Sequence, residues 1–477
     1  MSYNKKIIHA LIILTLLMLS LVAYLTWFQI FKAPALAVSD KNPRIIEAAK
    51  RIKRGTIYSA DGEKLAYSEF EESDGSESKK DRSTVQIRHY PYENIYCHVI
   101  GYCNDKFDKS KLEKSFNPYL SGTGISNKVF DLRQLITGEE YKEGADITLT
   151  IDHDFQEKAY SLLGDRNGSI VALNPKTGAT LALVSKPDFD PSTYNLTESK
   201  WAELSSRSDS VFVARATSGL YEPGSVFKTI TASAAIENGI ADKTFVDNGS
   251  VTIHGHTFHN SNEKGPGNTD IKEAFARSSN VVFLSLADEL GYDKMLSAAH
   301  KFMIGKDINY DFPTADTSCL KDSERTNVAA VGIGQGDTQV TPLNMALVAA
   351  AIANDGVMMR PYLVESADLS DGRNVYYNEP EVLSNAVSKS TAERIKDLMI
   401  GCVNSGTGTS AAISGIKVAG KTGTAENTGA SHAWFIAFAP AEDPEIAVCV
   451  MVENAGTSGG ATCGPIVRGL ISYYLNR

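Results

Sequence analysis

Apolar residues run almost without interruption from Ile7 to Phe31. About 20 such residues cross a bilayer core, and this run exceeds the roughly 7–15 apolar residues of a cleaved leader. It reads as a transmembrane helix. Ala35-Leu36-Ala37 follows as a small-residue pattern of the leader-cleavage kind, but the length of the run favours a retained anchor. Lys5 and Lys6 precede the span, and Tyr24 and Trp27 sit toward its far end, which puts the N-terminal stub in the cytoplasm and the rest outside. Past the anchor, Asp61-Gly62 is a turn signal between two strand-like runs, the first following Arg54-Gly55-Thr56-Ile57. Tyr67 to Ser83, crowded with Ser, Glu, Asp and Lys, predicts a solvated loop. Gly122-Thr123-Gly124-Ile125 opens a helical pattern through Phe130 and Leu135. From Asp146 the pattern sharpens into a strand over Ile147 to Asp152 and a helix over Phe155 to Leu163. Ser169 to Asn174 and Ala179 to Ser185 then form a β-hairpin around Pro175-Lys176-Thr177-Gly178. Two long helical regions follow, then strands at Ile416 to Gly420, Ala433 to Ala439 and Glu445 to Val452, and a helix from Pro465. Helices bracketed by strands from both ends of a domain predict an α+β fold, an antiparallel sheet with helices packed on it. The chain divides into a stub and anchor over 1–32, a small α+β stalk over 33–145, and a larger domain over 146–477.

Composition narrows the classes. With 43% apolar and 22% charged residues among 477, neither a fibrous nor a disordered chain fits. The net charge of −10 argues against nucleic acid, whose partners carry a basic stripe. Six cysteines are too few for a disulfide scaffold in a chain this long. Cys97 and Cys103 are close enough in sequence to pair in an oxidising exterior, and free thiols are the alternative.

The candidate chemistry lies in three short clusters, Ser225-Val226-Phe227-Lys228, Ser278-Ser279-Asn280 and Lys421-Thr422-Gly423-Thr424. A Ser and a Lys three residues apart on a helix share a face. Such a Lys, with its pKa depressed by neighbouring cations and poor solvation, can take the serine's proton. Each cluster alone is weak. Ser76-Glu77-Ser78-Lys79 repeats the first in a charged stretch, and Lys176-Thr177-Gly178 repeats the third at a hairpin tip. Ser225 alone could cap a helix, and Ser278 and Asn280 could cap one beginning near Val281. His254, His256 and His259 form a further cluster; alternation puts His254 and His256 on one strand face, but the ligand count is short for a metal, and surface histidines are the simpler reading. No metal or other cofactor is called for. His432 fits the wall of a cleft better than a base, a role Lys228 fills.

Order and context give the clusters their weight, since Ser-x-x-Lys, Ser-x-Asn and Lys-Thr-Gly occur in that sequence in penicillin-binding proteins and serine β-lactamases. With them stand Arg54-Gly55-Thr56-Ile57, Asn174-Pro175-Lys176-Thr177-Gly178, Tyr221-Glu222-Pro223-Gly224-Ser225, Gly334-Gln335-Gly336 with Val340-Thr341-Pro342, and Trp434-Phe435. Over almost its whole length the chain resembles a class B penicillin-binding protein, a monofunctional peptidoglycan D,D-transpeptidase, with 33–145 as the non-catalytic, dimerisation-like region. The resemblance implies a β-lactamase-like catalytic domain in which Ser225 is the nucleophile, Lys228 its base and Ser278 a proton relay. It implies substrate contacts from Asn280, Lys421, Thr422, Gly423 and Thr424, and acylation by penicillin. A glycosyltransferase partner is expected, because no such domain fits between anchor and catalytic region. The expected location is the bacterial cell membrane, single-pass, with the catalytic domain extracytoplasmic. Rival readings are a D,D-carboxypeptidase, a β-lactamase, against which anchor and stalk count, and a β-lactam-binding scaffold in a cell-wall synthesis complex.

Overall fold

The computed structural model describes residues 2–33, 52–72, 84–104, 106–122, 143–192, 195–426 and 429–477. Helix α1 (Ser2–Trp27) continues into a π-turn over Phe28–Lys32. Asn4–Lys32 is the one described segment long and apolar enough to cross a membrane, at 29 residues, about 43 Å of helix against a hydrocarbon core of about 30 Å. Leu16 and Leu17 are about 60% exposed, a surface that lipid solvates and water does not. This fits single-pass anchoring. Ala35-Leu36-Ala37 and the helix expected from Gly122 to Leu135 fall wholly or mostly outside the described residues.

Beyond the anchor lies a six-stranded mixed sheet in the order β15-β14-β6-β1-β2-β3. β1 (Ile57–Tyr58) and β2 (Lys64–Glu72) make the antiparallel pair expected around Asp61-Gly62, with Gly62 at φ +90°. The loop reading of Tyr67 to Ser83 fails for its first part. Tyr67 to Glu72 belong to β2 and pair with β3 (Thr84–His89), while residues 73–83 lie outside the described residues. Cross-strand partners outweigh polar composition here: the Tyr67 ring stacks on His89 at 5.0 Å, and buried Ser68 sits opposite Arg88. β4 (Cys103–Asn104) and β5 (Asp108–Lys109) form a separate short ladder. β6 (Asp146–Leu149) lies parallel to β1, and β14 (Val364–Asp368) and β15 (Asn374–Tyr377) complete the sheet from far along the chain. Cys97 and Cys103 are free thiols, as are the other four cysteines.

Glu113 ties this region together. Its side chain is fully buried and accepts from Arg54 Nε at 2.7 Å, Arg88 Nε at 2.7 Å and the Tyr90 hydroxyl at 3.2 Å. Burial alone would raise its pKa, but the two guanidinium groups outweigh it and hold the carboxyl at about 2. That pairing stabilises the fold above the unfolded carboxyl's pKa, and the contribution is lost as pH falls toward about 2. Glu113→Gln leaves two buried guanidinium groups facing a neutral amide, and should cost about 3–5 kcal/mol in a denaturant titration. A loss under about 1 kcal/mol, the range of an exposed pair, would refute this account.

The larger α+β region is built on a five-stranded antiparallel sheet, β17-β18-β19-β7-β8. β7 (Gly168–Leu173) and β8 (Thr180–Lys186) form the expected hairpin, Gly178 turning at φ +85°. β17 (Ala419–Ala425), β18 (His432–Ala439) and β19 (Ile446–Val452) follow near the C-terminal end. Every residue of β19 is buried, because both faces are covered. Ile170, Phe435, Val448 and Val450 face helices α2 (His153–Leu163) and α7 (Gly459–Leu475), whereas Val171, Trp434, Ile436 and Met451 face the wholly buried helix α6 (Pro342–Ala353). Helices α3 (Lys228–Glu237), α4 (Ile271–Arg277) and α5 (Asn280–Lys301) complete the α6 side.

Three expected boundaries move. β6 ends at Leu149, three residues before the expected Asp152, whose side chain instead caps α2 by accepting from the Phe155 N–H at 2.9 Å. β17 begins at Ala419, so Ile416 to Val418 precede the strand and Lys421-Thr422-Gly423-Thr424 lie within it, in unbroken register with β18 from Ala419↔Phe438 to Ala425↔His432. The last helix begins at Gly459, six residues before Pro465, because the Ser458 hydroxyl caps it by accepting from the Ala461 N–H at 3.3 Å.

Candidate active site

The nucleophile candidate sits at the entry to a helix. Gly224–Phe227 is a 3-10 turn running directly into α3, so Ser225 and Lys228 lie one turn apart. Two flanking patterns hold this turn. Tyr221 and Val340 exchange both backbone hydrogen bonds, at 3.0 and 2.9 Å, and the Gly224 N–H donates to Gly334 O at 2.9 Å. Gly224, at φ +55°, lies so close to β17 that a Cβ there would meet Thr424 O at 2.6 Å. From the other side a Cβ on Gly423 would meet Pro223 O at 2.9 Å and Trp434 Cβ at 3.0 Å. One on Gly459 would meet Trp434 O at 2.1 Å and Gly423 O at 2.3 Å. Backbone therefore packs on backbone from Gly334 through Ser225 to α7.

The second cluster is a break between helices. Ser278 ends α4 in the left-handed region at φ +60°, Ser279 caps α5 by accepting from Val282 N–H at 3.2 Å, and Asn280 is the first residue of α5. Capping thus falls to the middle residue, which frees Ser278 and Asn280 to face Lys228. The Lys228 Nζ donates to Ser278 O at 2.8 Å, Ser278 Oγ at 3.2 Å and Asn280 Oδ1 at 2.8 Å. Lys421 Nζ reaches the same Ser278 Oγ at 2.9 Å and Thr422 O at 3.1 Å. A hydroxyl thus bridges two amines.

Both amines are wholly buried. Burial pushes the Lys228 pKa well below the usual lysine range, and the Lys421 charge pushes it further, against an opposing pull from Asp247. Burial lowers Lys421 as well. Ser225 is only half-buried.

The structure therefore brings Ser225, Lys228, Ser278, Asn280, Lys421, Gly423 and Thr424 together. Thr422 is placed differently: its hydroxyl lies 2.5 Å from Thr407 Oγ1 and its side chain is buried, whereas Thr424 is exposed. The histidines do not share a face as alternation suggested. His254 occupies the turn between β10 (Ser250–Ile253) and β11 (His256–His259) at φ +52°, while His256 and His259 are exposed on β11. Among the described residues no group of three or more His, Cys, Asp or Glu is placed to hold a metal. His432 is half-buried on β18, edge-on to Tyr221 at 5.4 Å.

Several residues of the site carry no short pattern. Glu453 accepts from the Tyr221 hydroxyl at 2.6 Å and Arg215 Nε at 2.8 Å, and so fixes the segment leading to Ser225. Asp247 and Asn260 lie behind the Ser278–Asn280 turn. These contacts span up to 238 residues, which no local pattern reports.

Known proteins are similar to this chain in sequence and fold. Residues 168–472 match the penicillin binding protein transpeptidase domain, and residues 54–147 match the penicillin binding protein A dimerisation domain. Peptidoglycan D,D-transpeptidase PbpA of Mycolicibacterium smegmatis is 34% identical over 98% of both chains. Among solved structures, penicillin-binding protein A from M. tuberculosis as a ceftriaxone acyl-enzyme is 31% identical, with a TM-score of 0.81 over 90% of this chain and 99% of that one. The D,D-transpeptidase domain of a peptidoglycan glycosyltransferase from Eggerthella lenta is 35% identical, with a TM-score of 0.78 over 89% of this chain and 99% of that one. The transpeptidase-domain match over more than half of the chain, with a relative 34% identical over nearly its whole length, shows that the chain belongs to the class B penicillin-binding proteins.

Proposed function

We propose that the protein cross-links peptidoglycan as a serine D,D-transpeptidase through the site just described. The observation that carries this reading is the Ser278 hydroxyl held between Lys421 and Lys228, the latter one helical turn from Ser225. The neutral Lys228 amine takes the Ser225 proton as Oγ bonds to the carbonyl carbon of the penultimate D-Ala of a stem peptide. Backbone N–H groups of Ser225 and Thr424 receive the oxyanion, a donor class worth about 2.7–4 kcal/mol each. As the C–N bond breaks, the Ser278 hydroxyl passes a proton to the departing D-Ala amine and recovers one from a neighbouring ammonium. The amine of a second stem then attacks the ester, its proton returns through Lys228 to Ser225, and a new peptide bond remains. Asn280 binds the substrate amide, Lys421 and the exposed Thr424 hydroxyl attract its terminal carboxylate, and Gly423 lets the donor strand approach β17. Thr422 supports Thr424 from beneath by holding β17 to Thr407. Penicillin enters as a strained acyl donor whose leaving group stays tethered.

The test is to incubate the full-length protein in detergent with glycan strands bearing pentapeptide stems. Dimeric muropeptides with one D-Ala released per cross-link are expected. Shortened monomers without dimers would establish a carboxypeptidase, and neither product would leave a β-lactam-binding scaffold. We place residues 33–477 outside the cytoplasm, where that substrate lies, with Lys5 and Lys6 on the inner side. Residues 33–145 form the non-catalytic stalk of this arrangement and 146–477 the catalytic part. Cross-linking consumes polymerised strands, so a glycosyltransferase partner is proposed to bind at the anchor and stalk. Deleting residues 1–32 should abolish its co-purification, and retention would refute that contact.

A further inference from the structure

Behind the Ser278-Ser279-Asn280 turn lie two small ladders, β9 (Phe245–Asp247) paired with β12 (Gly267–Thr269), and β10 paired with β11. Asp247, at the end of β9, is 0% exposed. Its carboxylate accepts from Gly249 N–H at 2.9 Å, from Asn260 Nδ2 at 2.8 and 3.0 Å, and from Ser279 Oγ at 2.6 Å. None of these partners is a cation. Asn260 Oδ1 in turn accepts from the N–H groups of Asn280 at 2.8 Å and Val281 at 3.1 Å, and its Nδ2 also reaches Lys264 O at 2.8 Å. The first three amides of α5, which have no partner within their own helix, are therefore held by two side chains that converge on Asp247. The enclosure is tight, since a Cβ on Gly265 would lie 2.4 Å from Asp247 Oδ1.

We propose that Asp247 and Asn260 are positioning residues of the acyl-transfer reaction, a clamp that sets where Ser278 and Asn280 meet the Lys228 amine and places a negative charge behind it. This rests on the transpeptidase reading above and deepens it. The first effect is conformational. Ser278 stands at φ +60°, which residues other than glycine rarely adopt, and that conformation presents both its carbonyl and its hydroxyl to Lys228. Holding Ser279 Oγ and the Asn280 amide from behind over-determines the turn. The second effect is electrostatic. Around the Lys228 amine stand Ser278 and Asn280 from the α4–α5 turn, the Phe283 ring of α5 at 5.7 Å, and Lys421 of β17. Lys421 disfavours the ammonium, and Asp247 acts in the opposite sense.

A merely structural carboxylate would affect melting without moving the pH response of acylation, which separates the two roles. The measurement is the acylation rate of the full-length protein in detergent with a fluorescent penicillin, across about pH 5 to 10. Asp247→Asn removes the charge and keeps the shape, so the acidic limb should move to lower pH by at least about half a unit. Asn260→Ala keeps the charge and loses the clamp, so acylation should slow about tenfold or more with the limb in place. An unmoved limb in folded Asp247→Asn overturns the proposal. Should Asp247→Asn fail to fold, Asn260→Ala and Ser279→Ala decide, and acylation of both within about twofold of wild type overturns it. Wild type that takes no penicillin at any pH would instead refute the transpeptidase reading itself.

Discussion

Ser225→Ala is expected to abolish the covalent penicillin adduct. Wild-type protein incubated with penicillin should gain the mass of one drug molecule per chain and hold it for hours, whereas the variant's acylation rate should fall by at least about 10⁴-fold. Ser225 lies half-exposed at a helix entry whose geometry is held by Gly224, Tyr221 and β17, so removing one hydroxyl leaves those contacts intact. Stability should change by no more than about 0.5 kcal/mol, which separates lost chemistry from lost fold. Ser76→Ala, in another Ser-x-x-Lys, is the control and should acylate like wild type. An adduct that persists in Ser225→Ala would sink the assignment, and a transient one with drug consumed would mean a β-lactamase.

Lys228→Met should slow acylation by about 10²–10⁴-fold, the range for loss of a general base. In wild type the rate should climb with pH through the depressed pKa of Lys228, because below it the amine carries a proton and cannot accept another. The variant should lose that limb. The same depression has an opposite consequence for stability. An unfolded lysine titrates near 10.4, so between the native and unfolded values the unfolded chain binds more protons and stability rises with pH. Buried Lys228 therefore burdens the fold most at low pH, and the melting temperature of Lys228→Met relative to wild type should increase as pH falls. A pH-independent difference in melting, or acylation within tenfold of wild type, would refute the role given to this amine.

The sequence made the chemistry legible through order rather than through any one motif. Lys176-Thr177-Gly178 and Lys421-Thr422-Gly423 are the same tripeptide, yet Lys176 is exposed and pairs with Asp443, while Lys421 is wholly buried against Ser278. Flanking apolar strands foretold that difference. The sheet with helices on it was equally readable, because β7, β18 and β19 are apolar runs buried on both faces. What local pattern missed was pairing at a distance. Tyr67 to Glu72 read as loop because their strand partner lies across polar residues, and Asp247, Asn260 and Glu453 belong to no short pattern because their partners lie far along the chain. The start of the last helix was hidden by Pro465, whose preference for a first turn outweighed the Ser458 cap in a local reading.

The mixed sheet near the anchor also fixes an order of events. β1, β2, β3 and β6 are synthesised early, but β14 and β15, which complete the sheet beside β6, follow about 200 residues later. Until they arrive, one side of β6 is an open edge able to pair with any extended chain nearby. Synthesis of this protein thus includes an interval in which the sheet that follows the anchor waits, unfinished, for more than half of the remaining chain.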